Sequence, residues 1–473
     1  MDREPLSRRK FLKASATLGV TGFLAACGGS APPAEPTTAP AAAAPTTAPP
    51  AEPTTAPAAA APTTAPPAEP TTAPAAAEQT TVRLLTTHGA TMAPFIAESL
   101  KKFQAAHPEV KIDHEDLTEG YYDRLNVMLA SGTLPDVINL RSFDMYDWYR
   151  QKSLNDVSPY LQSDPDVKPQ DLVDAILKSC EFDGKYYGLP YDASVMIFYY
   201  NKDMFDKAGV AYPKNTWTWD DMLATAKALT KPAEETFGFA RLPDITDWRI
   251  EPWILSGGGK IISDDRTSWT MAGPEAEQTV QYIVDLSQKE KVAPPPSAQT
   301  DVNLFVLGKG AMYYAGQWEI PGNRDAVKFN WDVVAFPTGP KGHKPITHGG
   351  TYIMSASTKV PDAAWKIQKW ICAESDWQSN VYGASGYSIP ALKKVSSEAW
   401  LAPIKAGKPP AGAQVVLDEL GVAVPGSLWP NYQKIASIMT EEMQKILVGE
   451  ATVKQALDTI KTRADEAIAA TKA

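Results

Sequence analysis

Residues 181–209 read EFDGKYYGLPYDASVMIFYYNKDMFDKAG, and the organisation of the chain turns on this stretch. Up to Pro190 the sequence completes one alternation of strand-like and helix-like segments. After Pro190 a second alternation starts, so the chain is expected to cross here from one lobe into another.

On the N-terminal side the alternation is regular. Val82 to Thr86 (VRLLT) predicts a strand. Met92 to Ala106 has the i, i+3, i+4, i+7 spacing of an amphipathic helix closed by His107-Pro108. Val110 to His114 predicts a strand, Tyr121 to Ala130 a helix, and Asp136 to Leu140 (DVINL) a short buried strand. This is the rhythm of an open, mostly parallel α/β sheet, in which ligands collect where strands end. The loops after two of those ends start at Thr87-His88-Gly89 and at Arg141. Residues 79 to 473 are long for a single core and suit two lobes. All 13 tryptophans fall between Trp148 and Trp429, so the aromatic content belongs to this folded region.

The 181–209 stretch resembles the crossover segment of the extracellular solute-binding proteins of ABC importers, in the carbohydrate-binding family 1 that is maltose-binding-protein-like. The matching residues are Gly184, Lys185, Pro190 and the run Tyr200, Asn201, Lys202, Asp203. Further matches follow in the family's order: Pro213 with Thr216-Trp217 ahead of a helix, Ser256-Gly257-Gly258, the strand with Gly310-Ala311-Met312, and Gly316-Gln317-Trp318-Glu319. Phe336 to Pro340, Gly349-Gly350, a helix from Asp362 to Cys372, and Thr452-Val453 opening the last helix complete the set. The similarity spans about residues 80 to 470.

The resemblance implies an α/β fold of two lobes, the type II periplasmic-binding-protein architecture, with hinge crossovers and a cleft that closes on ligand. It puts one lobe at about 80–190 and 340–385, and the other at about 195–335 and 386–473. The crossings are expected at Tyr191 to Val195 and near Phe336 to Gly350. A sugar has apolar C–H faces and a rim of hydroxyls, so its site needs flat aromatic platforms beside planar polar groups. Candidates at strand ends are His88, then Arg141 and Asp144, then Tyr191, Asp192 and Ser194 at the crossing. The second lobe offers Trp253, Trp318 and Glu319, the return crossing Gly350 and Tyr352, and a later segment Trp429 or Tyr432. Asp192 reads equally as a ligand contact or as a brace for the hinge, and Trp253 and Trp429 as platforms or as core. Ile320 stands where maltose-binding protein carries a second ring, which points to a different sugar.

Enzyme signatures are thin. There is no G-x-S-x-G elbow, no G-x-x-x-x-G-K-[ST] loop and no H-E-x-x-H helix. The five histidines are scattered, so neither a metal nor a cofactor is expected. The alternatives are the same scaffold with glycerol-3-phosphate esters or polyamines as ligand, or a surface glycosidase or adhesin. The expected partners are a carbohydrate and the permease subunits of an ABC transporter, with the protein itself a monomer.

The first 78 residues carry addresses rather than fold. Ser7-Arg8-Arg9-Lys10-Phe11-Leu12-Lys13 has the twin-arginine export pattern, followed by an uncharged run from Ala14 to Ala26 too short to span a bilayer. Leu24-Ala25-Ala26-Cys27 resembles a lipobox, so residues 1–26 are expected to be a signal peptide and Cys27 a lipidated first residue holding the protein at the outer face of the membrane. PPAEPTTAPAAAAPTTA begins at Pro32, again at Pro49, and in truncated form at Pro66. Such a segment cannot offset its chain entropy and serves as a tether, roughly 100 to 150 Å at about 3.1 Å per residue. The formal charge of −10 becomes −13 once residues 1–26 are removed, which argues against nucleic acid or an anionic membrane surface as partner. Cys180 and Cys372 are expected as buried free thiols, a disulfide between them being the alternative.

Overall fold

Strand–helix alternation builds two large sheets in this protein, beside a two-stranded hairpin in which Glu181–Phe182 pairs with Lys185–Tyr186. The structure, a computed structural model, describes residues 79–90, 92–295 and 303–471. The export signal, Cys27 and the proline-rich tether lie outside the described residues. Along the chain the strands of the two large sheets are β1 (Thr80–Thr86), β2 (Val110–Asp116), β3 (Val137–Arg141), β4 (Leu189–Pro190), β5 (Asp192–Asn201), β6 (Phe237–Phe239), β7 (Gly310–Gly316), β8 (Trp331–Val334), β9 (Ile346–His348), β10 (Gly350–Met354), β11 (Ile389–Pro390) and β12 (Val424–Pro425).

The first sheet has the order β2-β1-β3-β10-β4. β1 runs parallel to β2 with Val82 opposite Ile112, and parallel to β3 with Leu84 opposite Val137. β10 runs antiparallel to β3 with Tyr352 opposite Asn139. Successive side chains leave opposite faces of a strand. Thus Leu84, Val137 and Tyr352 pack on one side, where Ile96 and Phe103 of the helix Ala93–Ala106 and Ile367 and Ile371 of the helix Pro361–Ala373 cover them. Leu85, Ile138 and Ile353 pack on the other, under Tyr121 and Leu125 of the helix Tyr121–Ser131.

The second sheet has the order β12-β9-β5-β7-β6, with β8 and β11 also pairing with β5. Nine of the ten residues of β5 are buried, the continuous apolar run of a strand covered on both faces. Met196, Phe198 and Tyr200 face the core made with the C-terminal helices Tyr432–Leu447 and Val453–Ala470, while Val195, Ile197 and Tyr199 face the opposite core. Val453 does open the last helix: the Thr452 hydroxyl accepts from the Gln455 amide, and the Gln455 side chain accepts from the Thr452 amide.

Three crossings join the layers. The first runs from β4 into β5 at Tyr191. The second falls at Gly349, between β9 in the second sheet and β10 in the first, so residues 346–348 sit with the second layer rather than the first. The third is Ser388 to Pro390, where β11 pairs antiparallel with β5, Pro390 opposite Asp192. Cys180 and Cys372 are buried free thiols. No helix among the described residues is long and apolar enough to cross a membrane.

Candidate functional site

A cavity of about 580 Å³ lies between the layers, over the carboxyl ends of β1 and β3 and above the crossings. Parallel strands end their hydrogen-bond ladders on one side of the sheet, and the loops leaving that side carry the polar groups. His88 stands two residues past the end of β1, and its backbone N–H donates to Asp116 Oδ1 at 2.9 Å, which fixes the loop. Its Nε2 is 2.9 Å from the Tyr352 hydroxyl and 3.4 Å from that of Tyr382. Burial pushes its pKa down to about 4 against the pull of Asp116, so the ring is neutral at pH 7.

Arg141 ends β3. Its guanidinium lies 3.9 Å from the Tyr122 ring centroid and 4.5 Å from that of Phe143, and its Nε donates to Asp144 Oδ2 at 3.2 Å. Asp144 is buried, and burial raises its pKa against the opposing effect of Arg141. The carboxylate therefore acts behind the wall, aiming Arg141 and accepting from Gln433 Nε2 at 3.2 Å.

The opposite wall is aromatic. Trp318 follows β7 and folds back over Gly316, where a Cβ would come within 2.1 Å of the indole, so only glycine leaves room for this ring. Trp248 stands beside it, ring centroids 6.3 Å apart, and meets His348 edge-on at 4.8 Å. The His348 Nδ1 lies 3.2 Å from Ser142 Oγ, and burial pushes its pKa down to about 3.

The crossings form the floor. Asp192 Oδ1 accepts from the Gly350 N–H, and the Ser388 side chain lies beside the same carboxylate and favours its charged form. Burial pushes the Asp192 carboxyl up to about 6, held down in part by those two groups. Tyr191 lies against Gly350, whose missing side chain is required because a Cβ there would stand 2.0 Å from the phenol ring.

Of the thirteen ligand candidates read from the sequence, seven line the cavity: His88, Arg141, Tyr191, Asp192, Ser194, Trp318 and Gly350. The other six do not. Trp253 is fully buried in the core against Phe336 and Phe198, and Trp429 is fully buried edge-on to Trp269. Tyr352 is buried beneath His88, Tyr432 is stacked on Phe143, Asp144 stands behind Arg141, and Glu319 opens the helix Glu319–Ala326 away from the cavity lining. Sequence reading missed Tyr122, Phe143, Trp248, His348, Tyr387 and Ser388, all of which line the cavity. Phe143 lies three residues past the strand expected at 136–140; Trp248 sits in the short turn Trp248–Ile250, which no strand announces. Among the described residues no group of three or more His, Cys, Asp or Glu is placed to hold a metal ion.

The sequence profile of a family described as bacterial extracellular solute-binding protein matches residues 85–374. A binding protein of Brucella abortus is 26% identical over 392 residues, covering 80% of this chain and 90% of that one. The maltodextrin-binding protein of Bacillus subtilis is 26% identical over 309 residues, 62% of this chain and 70% of its own length. Among solved structures, an ABC substrate-binding protein of Listeria monocytogenes in complex with cycloalternan superposes with a TM-score of 0.73 at 25% identity, covering 82% of this chain and 99% of that one.

Proposed function

The chain belongs to the bacterial extracellular solute-binding protein family, and from that premise we propose that it captures a sugar or oligosaccharide in the cavity between its lobes and delivers it to the permease of an ABC importer. The observation that carries this reading is the pairing of chemistries across one space. Trp318 and Trp248 offer apolar ring faces on one wall, while Arg141 and His88 offer planar polar groups on the other. That is the combination a pyranose requires, because ring faces cover its C–H surface and fixed donors and acceptors replace the water lost from its hydroxyls. Arg141 is already neutralised by Asp144 and both histidines are held neutral, which favours an uncharged ligand over a phosphate ester.

The reading is of a binding protein without a catalytic step, working as a monomer outside the cytoplasmic membrane and tethered by lipid on Cys27. Its test is a thermal-shift screen against mono- and oligosaccharides, with a glycerol phosphate ester and a polyamine in parallel. A ligand that binds only the folded state raises the midpoint, by about 2.7 kcal/mol of stabilisation at a hundredfold excess over Kd. Stabilisation by the phosphate ester or the polyamine, with no saccharide active, would overturn it.

A further inference from the structure

Asp192 is the point at which the three crossings meet. It opens β5, the outgoing connection. On one side the return connection passes so close that a Cβ on Gly349 would stand 2.2 Å from the Asp192 carbonyl oxygen, and the next residue, Gly350, donates its N–H to Asp192 Oδ1. On the other side β11 pairs with β5, Pro390 opposite Asp192, and the Ser388 side chain lies beside the same carboxylate and favours its charged form. Asp192 is 6% exposed, Ser388 4%, and both line the cavity.

We propose that Asp192 is a positioning residue that clamps the three connections together under the ligand, so that lobe closure and ligand affinity depend on one carboxylate. The proposal rests on the cavity being a sugar site. Two lobes joined by three strands can rotate only as far as those strands move against one another. A carboxylate that belongs to one strand, accepts from the second and sits where the third pairs with its own backbone makes them move as one body, and a charge-assisted bond of this kind is strong when sheltered from water. Ligand above that floor then meets a hinge with a single closed geometry rather than three independently flexing strands, and less ordering remains to be done when the cleft shuts.

The test compares Asp192→Ala, Asp192→Asn and Ser388→Ala in the full folded domain by hydrogen exchange without ligand, by maltotriose affinity, and by the radius of gyration with and without maltotriose. In Asp192→Ala, exchange should rise in peptides covering both Gly350 and Ser388, and maltotriose affinity should fall about tenfold or more. Asp192→Asn keeps an oxygen for the Gly350 N–H and should recover most of the protection and part of the affinity. Ser388→Ala, the mildest change, should raise exchange around 386–391 and leave that around 346–352 near wild type. Unchanged exchange at both connections in Asp192→Ala would overturn the clamp. So would an Asp192→Asn protein that loses as much affinity as Asp192→Ala with the hinge still protected, because that marks a direct ligand contact. A wild-type protein that ignores maltotriose and every other saccharide would count against the sugar reading instead, and the exchange measurements would still decide the clamp.

Discussion

Phe143 and Tyr432 stack with ring centroids 4.3 Å apart and planes inclined by 25°, one ring from the turn after β3 and the other from the first residue of the helix Tyr432–Leu447. The stack joins the two layers behind the cavity wall, and the Arg141 guanidinium lies over the Phe143 ring. Close by, Asp147 Oδ1 accepts from the Asn431 N–H at 2.7 Å and Oδ2 from the Tyr432 N–H at 3.0 Å. Tyr432→Ala should therefore lower stability by about 3 to 5 kcal/mol and loosen Arg141. Tyr432→Phe should restore both. Urea midpoints and saccharide affinity on the two variants check this, and a destabilised Phe variant would refute it.

Trp318 and Trp253 separate platform from core. Trp318→Ala should weaken sugar binding by on the order of 2 kcal/mol, about thirtyfold, while its unfolding midpoint moves less than that of Trp253→Ala. Trp253 is fully buried, so Trp253→Ala should cost about 3 to 5 kcal/mol of stability and leave affinity in the surviving folded fraction near normal. Measuring both quantities on both proteins decides the assignment, and a Trp318→Ala protein with wild-type affinity would remove that ring from the site.

Glu251 predicts an unusual pH profile. It is 1% exposed, and its carboxylate accepts from the Ser427 N–H at 3.0 and 3.2 Å and from the Ser427 hydroxyl. Burial pushes its pKa from 4.5 up to about 7. Between those values the folded protein holds a proton that the unfolded chain has released, so stability falls as pH rises through the window, by about 1.4 kcal/mol per unit. His88 and His348, held neutral by burial, act in the opposite sense and withdraw stability as pH falls below 6.5. Glu251→Gln keeps the histidines and removes the carboxyl. The variant should gain on wild type by on the order of 3 kcal/mol between pH 4.5 and pH 8, and denaturant midpoints at the two pH values measure it. A constant difference would mean the carboxyl titrates normally.

If Cys27 carries the anchor, Cys27→Ser should release the protein or leave it unprocessed. Fractionation of cells expressing each form distinguishes the outcomes, and retention at the membrane with normal processing would defeat the lipoprotein reading. Arg8→Lys with Arg9→Lys should trap precursor in the cytoplasm if the twin-arginine route is used.

Much of the first layer was legible in the sequence because its signals are local. The strand read at 82–86 and the helix read at 92–106 follow from hydrophobic period and from His107-Pro108 as a stop, while the start of the last helix at Val453 was placed by the family resemblance. His88 and Arg141 were legible for a related reason: a polar residue just after a buried strand end has few places to go but the mouth of the sheet. Gly349 and Gly350 could be placed by family resemblance, though not their reason, which is the close approach of Asp192 and Tyr191 from another part of the chain. Trp253 and Trp429 could not be told from platforms, because a buried ring and a sugar-stacking ring ask the same of a sequence. Trp248 and His348 reach the cavity through tertiary contacts alone, the one in a short turn, the other through pairing of β9 with β5 at Ser194.

The place of β10 in the first sheet sets a condition on biosynthesis. β10 fills the slot between β3 and β4, and the Thr351 hydroxyl bonds to the Leu140 carbonyl 211 residues earlier in the chain. A ribosome adding about 5 to 20 residues per second needs on the order of 10 to 40 s to travel that distance. Throughout that interval β3 has a free edge, able to pair with any other extended chain it meets. Losses during production should then track elongation speed and crowding more than the strength of the finished molecule. Slower translation at constant temperature should enlarge the insoluble fraction, whereas a substitution that merely hardens the second layer should leave it unchanged.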